Sequence, residues 1–138
     1  MQTITNNADI MEFIGNDTNC YTIKRLYNKD NELSVVQVLN EKGRIYKCLF
    51  YDEGKRLSNV CVYNSESGKE LMNITYRNDG KTISSVREYN PETNLMLSVT
   101  FYKEDGKTPS SIVEYDDMGH EAQFSLFCDD GEVITQAF

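Results

Sequence analysis

Apolar and polar residues alternate in short runs along most of the chain, and clusters bearing Gly or Asn interrupt them; this pattern predicts β-strands. In Leu71–Tyr76, Met72, Ile74 and Tyr76 oppose Leu71, Asn73 and Thr75. In Ala122–Phe127, Ala122, Phe124 and Leu126 oppose Gln123, Ser125 and Phe127. In the run from Leu95, Leu97, Val99 and Phe101 share the face of Leu95, against Met96, Ser98, Thr100 and Tyr102. Ten candidate strands follow: 21–27, 33–39, 45–51, 57–63, 71–76, 82–89, 95–102, 108–115, 122–127 and 133–138. The only stretch with helical periodicity is Asn7–Ile14, which Asn6 or Asn7 can cap and Gly15 can end. One domain is expected over 1–138, with 1–19 as an N-terminal segment holding this helix and 20–138 as β-hairpin repeats.

The connections are too short for parallel crossovers, so neighbouring strands must be antiparallel. Gly or Asn stands in them at positions 31, 43, 54, 68, 80, 94, 106, 119 and 131. Both residue types reach the left-handed region that a type I turn plus one further residue requires. Alternate turns recur at about 26 residues, so a strand pair is the repeating unit. Ile83 and Val86 are out of phase across Ser84-Ser85, and a bulge there would restore the alternation. Pro109, at the position equivalent to Ile83, suggests an irregular or edge-like strand start. Tyr51, Tyr63, Tyr76, Tyr89, Tyr102 and Tyr115 each precede a turn. Because strand direction alternates, they should form two rows, one at each end of the sheet, capping the core. The expected fold is an all-β antiparallel meander of about ten short strands from tandem hairpin repeats, curled or barrel-like, with one short N-terminal helix.

Charge adds a constraint on partners. Fourteen basic residues face 22 acidic ones, a net charge of −8 with a pI of about 4.6. Direct nucleic-acid binding needs a basic footprint, which this balance disfavours. A protein partner with a basic surface is favoured instead. No apolar run reaches membrane-spanning length, so no membrane partner is expected. Met1–Thr5 has neither the basic start nor the apolar run of a signal peptide, so a cytoplasmic location is expected. A signal removed ahead of Met1 would reverse that expectation.

The search for chemistry gives little. His120, the one histidine, falls in a turn. Gly80-Lys81-Thr82 and Gly106-Lys107-Thr108 end like a phosphate loop but lack its first Gly and its helix. Cys20, Cys48, Cys61 and Cys128 have no metal-ligand spacing, although Cys48 and Cys61 fall on neighbouring strands. No catalytic residue, metal site or cofactor is nominated, and the chain is expected not to be an enzyme. The candidate partner-binding residues are turn carboxylates: Asp52, Glu53, Glu104, Asp105, Asp116, Asp117, Asp129 and Asp130. The turn preference of Asp also explains these residues without any ligand.

Tyr76–Tyr89, YRNDGKTISSVREY, and Tyr102–Tyr115, YKEDGKTPSSIVEY, are near copies, and YDEGKRLSNVCVY from Tyr51 is a weaker one. They resemble the Y-x-x-D-G-K-T…E-Y-[ND] repeats of an uncharacterised bacterial domain best known from phytoplasmas, over residues 50–131. More distantly they are similar to tandem β-hairpin repeats of the MORN and YD kinds. Those families are mostly binding scaffolds, and the resemblance brings no catalytic residues. Two classes of function remain, and the first, a non-enzymatic protein-interaction module that binds a partner macromolecule through its sheet face or acidic loop rim, is the expected one. An acidic mimic of nucleic acid, inhibiting a nucleic-acid-binding enzyme, is the alternative.

Overall fold

The computed structural model describes residues 22–138, and the expected helix at Asn7–Ile14 lies outside them. Ten strands form one antiparallel sheet in strict chain order. They are β1 (Thr22–Tyr27), β2 (Leu33–Leu39), β3 (Ile45–Tyr51), β4 (Leu57–Tyr63), β5 (Glu70–Tyr76), β6 (Ile83–Tyr89), β7 (Met96–Tyr102), β8 (Pro109–Tyr115), β9 (Glu121–Phe127) and β10 (Val133–Ala137). Each strand contacts only its neighbours in sequence. β1 and β10 do not pair, so the described strands form an open sheet, and of the curled or barrel-like forms the sequence allowed, the closed barrel is excluded. Short loops fix each hairpin locally, but nothing in them brings the first strand to the last.

One bulge recurs in the hairpins. In β6, Thr75 pairs with Ser85 and Tyr76 with Ile83, leaving Ser84 unmatched, where the broken alternation called for it. Equivalent shifts fall beside Tyr27, Leu39, Tyr51, Tyr63, Tyr89, Tyr102 and Tyr115. At two of them a serine hydroxyl fastens the bulge across the hairpin. Ser58 Oγ donates to Phe50 O at 3.1 Å and Ser110 Oγ to Phe101 O at 3.2 Å. Pro109 opens β8 opposite Tyr102, in an interior strand and not at a sheet edge. As the first residue of the strand, it is where a missing backbone donor costs least.

Asx side chains close the turns. Asn40 Oδ1 accepts from Lys42 N and Arg44 N, and Asp105 Oδ1 from Lys107 N and Thr108 N. Between β3 and β4 the left-handed residue is Lys55, at φ 64°, and not Gly54 as its glycine suggested. The hydrogen bond from Lys55 N to Asp52 O shows why: Lys55 stands where Gly43 and Gly80 stand in their turns. Turns at the same end of the sheet also stack. A Cβ on Gly106 would lie 2.8 Å from Thr82 Cγ2 and 2.9 Å from Ile83 N. Arg77 Nη2 donates to Tyr102 O at 2.8 Å, and Lys103 Nζ pairs with Asp129 Oδ1 at 2.6 Å. Across the sheet, Arg44 Nη1 donates to Glu66 O at 3.4 Å and Lys69 Nζ to Glu92 O at 3.0 Å.

Residues paired across strands share a face, which sorts the side chains. Face A carries Leu33, Val36, Val38, Leu49, Leu57 and Val60, the whole buried cluster, with Ile74 and Tyr76 packed against it. Face B carries Leu26, Val35, Cys48, Phe50, Cys61 and Tyr63, and further along Val99, Phe101, Phe124 and Leu126. The tyrosine rows follow suit. Tyr51, Tyr76 and Tyr102 lie at one end on face A; Tyr63, Tyr89 and Tyr115 lie at the other end on face B.

Candidate functional site

Among the described residues, a concave feature of the sheet lies on face B of the first strands. It is an open cleft of about 640 Å³, lined by Leu26, Val35, Ile45, Phe50 and Tyr63 among others. Strand pairing puts all five on one face, and the turns at one end of the sheet supply Arg44, Ser65, Glu66 and Ser67 as a polar margin. The hydrogen bond from Arg44 to Glu66 O holds that margin together. An apolar floor with a few polar groups at its rim is the usual make-up of a binding surface.

A buried titratable group adjoins the cleft. Cys48 and Cys61 are direct cross-strand partners, 5% and 6% exposed, and both thiols are free. Asn73 Nδ2 donates to Cys61 Sγ at 3.3 Å. Burial pushes both thiols up, and the neighbouring Tyr63 side chain partly offsets this. Burial also raises the Tyr63 phenol, and the neighbouring thiols and Glu70 add to the effect. Glu70, opposite Tyr63, buries Oε1 with no hydrogen-bond partner. Tyr89 is raised by burial first and by Glu70 second. These groups are therefore held neutral around one carboxylate, an arrangement that does not generate a nucleophile at neutral pH. Among the described residues no group of His, Cys, Asp and Glu is arranged to hold a metal ion.

The turn carboxylates do not form one site. Asp52, Glu53, Glu104, Asp105, Asp129 and Asp130 lie at one end of the sheet, and Asp116 and Asp117 at the other. Several are occupied locally. Asp52 pairs with Arg56 at 3.6 Å, and Asp129 with Lys103. Asp105 binds the Thr108 hydroxyl and two backbone amides, which together hold it down at about 2. Asp116 accepts from His120 N and Met118 N, and its carboxyl is lowered by those bonds, the His120 amide first. His120 lies 3.9 Å from the same carboxylate in an exposed turn. The cleft and the thiol pair were not nominated from the sequence. The signal for the pair was the bulge: counting one extra residue in the β3–β4 hairpin sets Cys48 opposite Cys61.

Comparisons with solved structures show where else this fold occurs. The GtfA/B complex bound to UDP and GlcNAc matches with a TM-score of 0.61 at 14% identity, over 85% of this chain and 24% of that one. The pneumococcal O-GlcNAc transferase GtfA in complex with UDP and GlcNAc matches at 0.57 and 20%, over 96% and 24%. TarM matches at 0.59 and 10%, over 97% and 24%. The chain spans about a quarter of the length of these structures. At such identities the likeness is one of fold. It corrects the expectation that set enzymes aside, because the sheet is one that a glycosyltransferase chain carries. No curated protein sequence matches. Residues 50–98 and 76–124 match the family described as "Protein of unknown function (DUF2963)", two overlapping matches that together cover more than half of the chain. The tandem hairpin plan accounts for that overlap, each match starting about one repeat after the other, and the chain belongs to the DUF2963 family.

Proposed function

We propose that the chain is a partner-binding module whose face B docks a protein with an apolar centre and a basic margin. The observation that carries this reading is the distribution of uncovered apolar side chains. Face B holds the cleft in β1–β4, and further along it leaves Phe101, Leu126 and Ile134 41–50% exposed. A single-layer sheet pays for such exposure in solvation unless another surface covers it. The acidic turns around it, and the net charge of −8, favour a basic margin on the partner. The GtfA/B structure is named as a complex of two proteins, which is consistent with a sheet of this kind serving assembly. Carboxylates divided between the two ends of the sheet, several of them bound within their own turns, lend less support to a nucleic-acid mimic.

A second reading is favoured by the structural likeness alone. The chain would then be the sheet portion of a sugar-transferring assembly, with the transfer centre supplied by other parts. UDP and GlcNAc, named with GtfA, would be ligands of that assembly.

Affinity capture on the wild type and on a Phe101→Ser, Leu126→Ser variant, each confirmed folded by circular dichroism, tests both readings. The first expects a partner held at high salt by the wild type and at least tenfold more weakly by the variant, a loss of about 1.4 kcal/mol or more. Capture that the face substitutions leave unchanged would overturn it, and a salt-labile nucleic-acid enzyme would point to mimicry instead. The second expects the captured protein to transfer GlcNAc from UDP-GlcNAc; a partner without transferase activity sinks it.

A further inference from the structure

We infer that Cys48 and Cys61 form a site of reversible thiol oxidation, closing to a cross-strand disulfide in the presence of a low-molecular-weight disulfide such as oxidised glutathione. The two residues are direct partners in the β3–β4 ladder. Directly opposed residues of an antiparallel pair have Cα atoms about 4.5–5.5 Å apart. A disulfide accepts about 4.4–6.8 Å, so backbone register alone brings the pair into range. Both side chains lie on face B, as directly opposed cross-strand partners must.

Access and order of reaction also follow from position. Cys48 lines the open cleft, so it is the thiol a small reagent reaches first. As a thiolate, Cys48 attacks one sulfur of the glutathione disulfide, a mixed disulfide forms, and one glutathione leaves as its thiol. The Cys61 thiolate then attacks the Cys48 sulfur, the protein disulfide forms, and the second glutathione leaves. The two protein thiols give up two electrons and two protons, and the reagent takes them up as two thiols. Closure removes the thiol that Asn73 Nδ2 bonds and draws Cys48 toward Cys61, so the cleft wall at Cys48 is rearranged by oxidation. Burial disfavours both thiolates, so closure is slow at neutral pH and faster as pH rises.

The test is an equilibrium one, so slow access does not obscure it. Full-length Cys20→Ser, Cys128→Ser protein is unfolded in urea, then equilibrated in graded mixtures of oxidised and reduced glutathione, with and without urea. The expected product in buffer is a monomer lighter by two hydrogens, with the Cys48 and Cys61 peptides linked. It should form at a ratio at least about tenfold more reducing than the same cross-link needs in urea. Should that variant fail to fold, alkylation and peptide mapping of the wild type, refolded in the same buffers, gives the same reading. Equal ratios with and without urea would show that the fold does not favour the bond, and the inference would fall. It falls equally if Cys48 and Cys61 are each recovered separately alkylated at the most oxidising ratio.

Discussion

Strands β2–β4 and β7–β9 share one hairpin plan and differ in what they bury. At the middle position of face A, β2, β3 and β4 carry Val36, Leu49 and Val60, all 1% exposed or less. Cross-strand register leads from Val60 through Ile74 and Val86 to Thr100, Ile112 and Ser125 in β7, β8 and β9. On face B the trend reverses. Gln37, Cys48 and Cys61 give way to Val99, Val113 and Phe124, flanked by the exposed Phe101 and Leu126. Turns, bulges and end tyrosines are common to both regions, whereas the residues between them decide which face is the more apolar. The hairpin frame is thus independent of the core: a bulge fixes register, and register only decides which side each residue reaches.

The largest effect should come from cutting into the first region's core. Leu49→Ala removes a fully buried side chain from the centre of the cluster and should cost about 3 kcal/mol. Ile112→Ala, at the matching position in the second region, is only half-buried and should cost about 1 kcal/mol. Urea unfolding followed by circular dichroism measures both. Since each strand contacts only its neighbours, Leu49→Ala should also separate the two regions into distinct transitions. Equal costs would break the comparison and assign both regions to one core.

A second pair of substitutions asks whether the stacking of turns matters as much as their conformation. Gly106 and Gly131 both sit in the left-handed region, at φ 69° and 89°. Alanine at Gly131 would meet nothing within 4 Å, so only the conformational penalty of about 1 kcal/mol applies. Alanine at Gly106 would also press on Ile83 N, which is backbone and cannot turn aside. Gly106→Ala should therefore cost about 2 kcal/mol, read as the difference in denaturation midpoint between the two variants. Equal midpoints would mean that the turns stack loosely.

Much of the frame was legible in the sequence because its signals are local. Gly80, Gly106 and Asn94 announce positive φ, and the phase break at Ser84-Ser85 announces the bulge. Lys55 was not legible, since a non-glycine residue takes the left-handed position beside a glycine that does not. The openness of the sheet was not legible either, because closure depends on accumulated coiling over ten strands and no residue pair encodes it. Which turn carboxylates are occupied within their own turns was not legible for a related reason. Asp was visible in the turns, but whether its oxygens face outward or bind the turn's own amides depends on backbone geometry, as Asp105 and Asp116 show.

The smallest effect concerns those same oxygens and separates the two regions by pH. Asn28, Asn40 and Asn64 close three of the first four turns with a neutral amide, which no acid titrates, and Asp52 closes the other. Asp79 and Asp105 close later turns, and bonds from Thr82 and Thr108 hold their carboxyls at about 2, below the ordinary value of 3.8. A folded-state value below the unfolded one means that folding favours the ionised form. The contribution is complete above the ordinary carboxylate range, shrinks as pH falls below about 4, and is gone below about 2. Acid should therefore loosen β5–β8 before β1–β4. Hydrogen exchange at pH 5 and pH 2.5, compared strand by strand, should show protection falling selectively in β5–β8. Asp79→Asn with Asp105→Asn keeps an acceptor in each turn and removes the titration, so the acid sensitivity of these strands should flatten. If β1–β4 lose protection first, or if the double variant keeps the wild-type acid response, turn carboxylates do not distinguish the two regions and other titrating groups must account for it.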